Sequence, residues 1–531
     1  MNFLVLANGK IDSGDTAWLL MSSALVMLMV PGLALFYGGM VRRKNILGTM
    51  MHSMVALGLI GVQWVLIGYA LAFGATQGGF IGFDARYLAL VGVKPDDVFP
   101  GTSIPVYVHC IFQGMFAILT PALISGAFAE RVRFGPYCLF VLLWATLVYD
   151  PLAHWVWSVG PDSNDPSKSA PIGWLGSMGA LDFAGGTVVH VAAGFSGLAA
   201  ILLLPTRRGY PQHVIHPNSM VLTLTGAGLL WFGWFGFNGG SALAANGQSG
   251  MALTVTQVAA AAAALVWIVV EWLHRGKPTA LGLATGLVAG LVAITPASGF
   301  VSPFSALWIG SLASLVCYTV VAAKPWLKYD DSLDAFGVHG VGGFLGALLT
   351  GLFALTPVED SVTKQFGVQV LATVSAAVYS FVMTLVLVKV IDSTWGFSLS
   401  AEEEAIGLDR NEHGEVGFDY GAAPLEEVAE SAPPEPRPAS FPPQDTNRYT
   451  LVVEGVPTSE LIRAWSAMCQ KTSEPPSPLL KTVYPLVTTV SGNRFRFRGG
   501  DRVLMRGNLQ RLFEDSLGAS VHVHVEENSD R

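Results

Sequence analysis

Two histidines stand in otherwise apolar stretches and are the first candidates for chemistry. His190 lies in "LDFAGGTVVHVAAG" (Leu181–Gly194) and His339 in "LDAFGVHGVGG" (Leu333–Gly343), each a few residues after an aspartate. A neutral imidazole carries one hydrogen-bond donor and one acceptor, and it can hold or pass a proton near neutral pH. Two such rings brought together would line a narrow path. On these residues alone, two separate core histidines bonded to backbone carbonyls are the alternative.

The composition indicates a membrane protein. Of the 531 residues, 52% are hydrophobic and 13% are charged, against about 25% charged in a soluble domain. Several apolar runs are near 20 residues, which is long enough for a helix to cross a bilayer. We predict an all-α polytopic membrane protein, with spans eight and nine short and rich in glycine. The eleven predicted spans are 15–39, 49–74, 105–129, 134–154, 186–205, 219–240, 251–273, 279–296, 303–323, 337–355 and 367–392.

Lysine and arginine are unevenly divided between the loops. Loops after odd-numbered spans contain eleven of them, whereas loops after even-numbered spans and the N-terminal tail together contain five. Positive residues collect on the cytoplasmic side of membrane proteins. We therefore predict a multi-pass protein of the cell (inner) membrane with its N-terminus outside and its C-terminus in the cytoplasm.

Short matches between the two halves indicate an internal repeat. "VHVAAGFSG" (Val189–Gly197) in span five matches "VHGVGGFLG" (Val338–Gly346) in span ten, and "FYGG" (Phe36–Gly39) matches "FNGG" (Phe237–Gly240). Matches this short also arise by chance. Taken as a repeat, they give two five-helix units, and an odd number of crossings inverts the second, an architecture of many transporters. The 5+5 inverted repeat predicts that the two histidines face each other near the membrane midplane.

The chain after span eleven is polar and divides into three parts. Residues 1–392 are the predicted membrane domain, 393–421 an acidic cytoplasmic region, 422–447 a proline-rich linker, and 448–531 a small soluble domain. Alternating and helical patterns in this last part follow the order β-α-β-β-α-β. That order predicts a ferredoxin-like α+β sandwich, which by itself gives no function.

The last domain contains a basic strand, "RFRFR" (Arg494–Arg498). Alternation puts its arginines on one face and Phe495 and Phe497 on the other. With Arg502, Arg506 and Arg511 nearby, this face is a candidate anion-binding surface. A solvated strand face is the alternative.

Residues 15 to about 420 resemble the ammonium transporter (Amt/Mep/Rh) family, and in particular its Amt branch. The motifs that carry the resemblance occur in the family's order and extend from span one to the segment after span eleven. They are "PGLALFYGGMVRRKN" (Pro31–Asn45), "FQGMFA" (Phe112–Ala117), "GAFAERVRF" (Gly126–Phe134), "AHWVW" (Ala153–Trp157), "DFAGGTVVH" (Asp182–His190), "GWFGFNGGSA" (Gly233–Ala242), "RGKPTALG" (Arg275–Gly282), "DAFGVHGVGG" (Asp334–Gly343) and "GLDRNEHGE" (Gly407–Glu415).

The resemblance implies an outer recruitment site for ammonium made by Phe116, Trp157 and Ser241, with Asp182 buried beside it. Aromatic faces attract a small cation, and a hydroxyl accepts its hydrogen bond. Taken alone, each aromatic residue fits an interfacial belt or a packing role equally well. Asp182 also fits a helix-capping role, because it precedes span five. For Asp334, before span ten, we expect a structural role.

The resemblance further implies a pore. Phe116 and Phe237 correspond to stacked rings that block its outer mouth, and His190 and His339 to the pore pair. Phe112 corresponds to a core aromatic one turn before Phe116, and Phe36 and Tyr37 to a narrowing toward the cytoplasm. Ammonium would release a proton at the mouth, so that ammonia crosses and potassium, which has no proton to release, is rejected.

The expected function is therefore ammonium transport, not enzymatic catalysis. Two alternatives stay open: an ammonium sensor that signals through the C-terminal domain, and an Rh-type ammonia gas channel, against which Trp157 in the recruitment site argues. The partners expected are ammonium or ammonia, the lipid bilayer, a homotrimer of this chain and a PII-type cytoplasmic regulator. We expect no cofactor, no metal and no nucleic acid.

Overall fold

The computed structural model describes residues 10–162, 169–212, 215–356, 359–418, 448–470, 483, 486–491, 493–498, 502–517 and 520–526. The predicted linker, residues 422–447, lies outside these ranges, as does Gly492 in the predicted hairpin turn of the last domain. The chain divides into two compact units, Met1–Gly421 and Ala422–Arg531. Each unit is described by itself.

The first unit is built from long apolar helices. Among the described residues, ten helices are long and apolar enough to cross a membrane, and an eleventh apolar helix, Ala280–Ile294, is shorter. This helix is the predicted span eight. Predicted span nine is 25 residues long, so its prediction as a short span is wrong. The ten are Ser13–Met40, Arg43–Phe73, Val106–Ile124, Phe134–Trp157, Gly186–Leu203, Met220–Gly240, Gly247–Arg275, Pro303–Leu327, Phe336–Phe353 and Val362–Trp395.

Polar side chains set where many of these helices begin. The Oδ1 atom of Asp12 accepts hydrogen bonds from the first backbone amides of span one at 2.8 and 2.9 Å. Ser219, Thr279 and Ser302 cap spans six, eight and nine in the same way. A cap satisfies amides that have no partner inside the helix. The hydropathy pattern locates the spans, and these caps fix their first residues.

Two short hairpins lie between spans on one side of the unit. Strands β1 (Ala75–Gln77) and β2 (Ile81–Phe83) pair antiparallel, as do β3 (Val159–Pro161) and β4 (Ser169–Pro171). The indole of Trp155 donates to the carbonyl of Phe80 at 2.7 Å. This bond ties the first hairpin to the end of span four.

The segment after span eleven packs on the membrane helices of its own chain. It forms two short helices, Ala401–Ile406 and Leu408–His413. Glu404 pairs with Arg42 at 2.9 Å, and the Oδ1 atom of Asp409 accepts from the amide of Gly48 at 2.9 Å. The acidic segment therefore covers the basic loop after span one and the start of span two.

In its described residues, the second unit has a four-stranded antiparallel sheet and two helices. The strands are β5 (Arg448–Glu454), β6 (Val487–Ser491), β7 (Arg494–Arg498) and β8 (His522–Glu526), in the order β6-β7-β5-β8. The helices are Thr458–Gln470 and Arg502–Leu517. Phe495 and Phe497 are fully buried, whereas Arg494 and Arg496 are exposed. The predicted alternation along β7 is thus present; the side chains of Arg498 and Arg502 lie outside the description.

Candidate functional site

The two predicted histidines meet in the interior of the first unit. The Nδ1 atoms of His190 and His339 are 3.3 Å apart, and both rings are buried. Two neutral imidazoles make this contact only when one Nδ1 carries a hydrogen and the other accepts it. The Nε2 atom of His190 is buried without a hydrogen-bond partner. One histidine of the pair therefore donates to the other, and the Nε2 atom of His190 is left able to form a further hydrogen bond.

Local helix geometry and small residues allow this meeting. Each histidine lies in a π-helical turn at the start of its span, Gly186–Val191 and Phe336–Gly340, and such turns are frequent at functional sites. A Cβ atom on Gly194 would lie 2.1 Å from the backbone nitrogen of Gly340. The backbones of the two spans thus touch at Gly194 and Gly340. This contact brings His190, one turn before Gly194, next to His339, which directly precedes Gly340.

We predict that Gly194→Val prevents this approach. A side chain there collides with backbone atoms that cannot move aside, so the yield and the thermal stability of the folded protein should fall sharply. Thermal unfolding of the purified protein in detergent measures the effect. The matched control is Gly228→Val, because a Cβ atom at Gly228 meets nothing within 4 Å. Equal stability of the two variants would contradict this role for Gly194.

A pocket of about 200 Å³ is lined by the predicted recruitment residues Phe116, Trp157 and Ser241. The indole of Trp157 donates to the backbone carbonyl of Asp182 at 2.8 Å, which fixes the plane of its ring. The hydroxyl of Ser241 donates to the carbonyl of Phe237 at 2.8 Å, so its oxygen lone pairs remain for another donor. The pocket is lined by Phe99, Pro100, Gly101, Thr102, His109, Gln113, Phe116, Trp157, Val159, Ser169, Phe183, Ser241 and Leu243.

Stacked rings close the floor of this pocket. Phe116 and Phe237 stack with centroids 4.2 Å apart, and Phe237 lies 6.1 Å from the ring of His190. Phe112 packs edge-on against Phe116 at 5.0 Å and is fully buried. A continuous series of rings therefore leads from the pocket to the histidine pair.

Asp182 caps the helix that carries His190. Its two carboxylate oxygens accept four backbone N–H groups, those of Gly185, Gly186, Thr187 and Val188, at 2.6 to 3.0 Å. A carboxylate is favoured at a helix N-terminus. Both oxygens are already occupied by these amides, and the backbone carbonyl of Asp182 accepts the indole hydrogen bond of Trp157.

His339 also lines a second, much smaller cavity. Phe36, Tyr37 and His339 lie on the wall of a space of about 10 Å³, which is roughly the room one water molecule needs. The hydroxyl of Tyr37 donates to the carbonyl of Leu123 at 3.0 Å. Phe36 and Tyr37 thus line a small space beside His339, and their narrowing role stays a prediction.

Similarity to known proteins identifies the family. Residues 17–418 match the Ammonium Transporter Family. The chain belongs to this family. An ammonium transporter of Aquifex aeolicus is 44% identical over 425 residues, which cover 78% of this chain and 96% of that relative.

Two solved structures agree with this assignment. Saccharomyces cerevisiae Mep2 is 34% identical, has a TM-score of 0.67, and the match covers 74% of this chain and 91% of Mep2. A sensor Amt protein is 30% identical, has a TM-score of 0.68, and the match covers 75% of this chain and 98% of that one. The predicted polytopic membrane fold is confirmed. Because the ammonium transporter family consists of channels and transporters, the prediction that the chain is not an enzyme is also confirmed.

The helices that carry His190 and His339 in this ammonium transporter family member are each capped by an aspartate, and sequence reasoning missed the second of the two. The counterpart of Asp182 is Asp331, whose carboxylate accepts the amides of Ala335, Phe336 and Gly337 at 3.0, 2.9 and 3.2 Å. Burial, with repulsion from Asp334, raises the pKa of Asp331 to about 7.

Asp334, which the sequence motif aligns with Asp182, has a different role. It forms an ion pair with Lys324, and its own backbone has a positive φ of 59°. Asp334 therefore has a structural role, as expected, because it forms an ion pair in the loop. Asp331 is the residue that caps the helix.

Two further residues of the site were not predicted. The ring of Trp234 stacks on His190 at 5.4 Å, and its indole donates to Thr295 at 2.9 Å. His109 lines the outer pocket. A sequence signal existed for His109, since it precedes Phe112 and Phe116 by three and seven positions and so shares their helix face. The same kind of signal existed for Trp234, which precedes Phe237 by three positions.

Proposed function

We propose that this chain transports ammonium across a membrane: it binds the ion in the outer pocket, removes one proton, and passes ammonia along a lumen lined by His190 and His339. The proton crosses separately by way of the two imidazoles, so that one positive charge is transferred with each ammonia. One observation carries the proposal. The pocket, the Phe116–Phe237 stack at 4.2 Å and the histidine pair at 3.3 Å follow one another without a gap. Such a column has a cation-binding entrance and an interior of rings.

The physical basis of selectivity is desolvation. A bare cation loses most of its hydration between stacked rings, and isolated charges in a low-dielectric interior are very costly. Ammonium escapes this cost because it can cross as neutral ammonia and a separately transferred proton, whereas a potassium ion has no proton to give up. Neutral ammonia then needs only weak donors and acceptors, which the two imidazoles supply.

In this proposal the entrance residues have separate roles. Phe116 and Trp157 attract the cation with their ring faces, a contribution of about 0.5–2 kcal/mol for each contact. Ser241 accepts an N–H bond with its free lone pairs. Asp182 adds negative potential, and the Phe116–Phe237 stack is the outer gate.

Electrical recording from proteoliposomes tests the proposal. A pulse of ammonium should produce a current that an equal pulse of potassium does not. Trp157→Leu removes the ring face and the hydrogen bond to Asp182 and should reduce the ammonium current severalfold at low concentration. A potassium current as large as the ammonium current, or none in response to either ion, would refute the proposal.

We also propose the membrane arrangement. Counting Ala280–Ile294 as a crossing gives eleven spans with a 5+5 inverted repeat, and the contact of spans five and ten at Gly194 and Gly340 supports that symmetry. The helix is about 22 Å long at 1.5 Å per residue, so neighbouring residues must complete the crossing. The loop charges support an outside N-terminus, a cytoplasmic C-terminus and the cell (inner) membrane.

The proposed domains are the membrane domain 1–392, the cytoplasmic region 393–421, the linker 422–447 and a ferredoxin-like regulatory domain 448–531. The antiparallel order β6-β7-β5-β8 supports the fold of the last one. Family membership supports a homotrimer as the assembly, and a PII-type regulator is a candidate cytoplasmic partner. The exposed Arg494 and Arg496 leave the anion-binding interpretation of β7 open.

Ammonium sensing through the last domain is the second candidate function. It is favoured by the similarity to a sensor Amt protein and by the presence of a second compact unit. Deletion of residues 431–531 separates the two functions. A truncated protein with unchanged transport leaves regulation of flux unsupported, whereas ammonium-dependent changes in the tail of a non-conducting full-length protein favour sensing.

A further inference from the structure

A third histidine belongs to the outer pocket and has no part in the transport mechanism described above. His109 lies in the helix Val106–Ile124, lines the pocket, and is 1% exposed. It shares a helix face with Gln113 and Phe116, which line the same pocket. Both ring nitrogens of a buried imidazole need partners, because burying an unpaired polar group is costly.

The neighbours of His109 fix its ring. Its Nδ1 atom is 2.9 Å from the hydroxyl oxygen of Tyr69. One face stacks on Phe99 with centroids 3.5 Å apart and planes within 9°, and Phe73 meets the ring edge-on at 4.8 Å. Because Tyr69 occupies Nδ1 and the aromatic rings hold the plane, Nε2 is the nitrogen that remains for the pocket.

The proposed occupant needs several hydrogen-bond acceptors in the pocket. Ammonium has four N–H donors. Both carboxylate oxygens of Asp182 are occupied by backbone amides, and Ser241 offers lone pairs on a single oxygen. An imidazole nitrogen accepts a hydrogen bond whenever its ring hydrogen is on the other nitrogen, and a tyrosine oxygen can receive that hydrogen.

We propose that Nε2 of His109 accepts an N–H hydrogen bond from ammonium in the outer pocket, while Nδ1–H donates to the oxygen of Tyr69. His109 is then a positioning and specificity residue for the entrance. It favours ions that carry N–H donors over alkali cations of similar size. This inference rests on the proposed transport function, since it names a further contact of the same substrate.

Three variants in proteoliposomes test it. His109→Leu should raise the ammonium concentration that gives half-maximal current about tenfold, as expected for the loss of one hydrogen bond to a charged group. The maximal current should stay within about twofold of wild type. His109→Gln, whose amide oxygen can reach the position of Nε2, should restore most of the affinity.

His52→Leu is the matched control. His52 is a buried histidine of span two whose ring lies 4.3 Å from Tyr137, away from the pocket residues, so its replacement should leave the half-saturating concentration unchanged. The inference is overturned by an unchanged half-saturation in His109→Leu, by a glutamine variant as impaired as the leucine variant, or by a loss of maximal current alone.

A binding measurement separates this inference from the transport proposal. In detergent, ammonium chloride should raise the unfolding temperature of the full-length protein more than sodium chloride does, and His109→Leu should need about tenfold more ammonium for the same rise. If ammonium raises the unfolding temperature of the wild type and His109→Leu needs more ammonium, but the wild type carries no current, the transport proposal is refuted and the His109 contact is supported. Identical ammonium titrations for wild type and His109→Leu, or no ammonium effect in the wild type, overturn the contact.

Discussion

Replacing His190 with alanine is expected to reduce the ammonium current at saturating ammonium to less than a tenth of wild type. The variant removes one partner of the 3.3 Å contact and leaves Nδ1 of His339 unpaired in a buried site. It also removes the ring on which Trp234 and Phe237 stack. Current recording in proteoliposomes measures the loss.

The control for this prediction is another histidine outside the lumen. His274 is hydrogen-bonded to the hydroxyl of Tyr318 at 2.7 Å near the end of span seven, and His274→Ala should retain the current. Thermal unfolding of both variants shows whether a lost current reflects lost folding. If His190→Ala folds and conducts like the wild type, the proposed role of the pair is wrong.

The positions of the spans were predictable because hydropathy is a local property. Each crossing requires its own run of apolar residues, so a single sequence shows it. The meeting of His190 and His339 was predictable for another reason: the predicted repeat relates the two positions by symmetry. Their π-helical turns and the contact at Gly194 depend on how the spans pack and were not predictable.

The aspartates show how a motif can mislead. The letters around Asp182 and Asp334 match, but the helix cap requires a fixed distance along the chain from the capped turn. Asp182 and Asp331 each precede their histidine by eight positions, whereas Asp334 precedes His339 by five. Spacing was therefore the better signal than composition, because it reflects the geometry of the first helical turn.

Contacts between distant segments lay beyond sequence reasoning. Tyr69 and Phe99, which fix the ring of His109, come from segments outside its own helix. Glu130 is a second example, since its partners Arg42 and Arg207 lie 88 and 77 positions away. Only the packed chain shows which of the many loop charges are buried together.

The pairs of Glu130 give the second large prediction. Its side chain is fully buried, lies 2.9 Å from Arg42 and 3.7 Å from Arg207, and accepts a bond from Asn45 at 2.8 Å. Removing one partner of a buried ion pair typically costs about 3–5 kcal/mol. Because Arg42 is 24% exposed and also pairs with Glu404, we expect Glu130→Gln to lower the free energy of unfolding by about 3 kcal/mol.

The pH dependence of this loss provides the decisive check. Burial alone would raise the pKa of Glu130, but the hydrogen bonds from Arg42 and Asn45 and the charges of Arg42 and Arg207 outweigh burial and lower it. A carboxylate whose folded pKa is lowered stabilises the protein above its unfolded pKa, which is about 4.3, and this contribution disappears as the pH falls through the folded pKa. Thermal unfolding of wild type and Glu130→Gln should therefore differ most above about pH 5 and converge in stronger acid.

The control variant is Asp360→Asn, which removes an exposed pair with Lys364. It should unfold like the wild type at every pH. A difference between wild type and Glu130→Gln that is constant with pH would show that the shape of the glutamate side chain, and not its charge, holds these loops together.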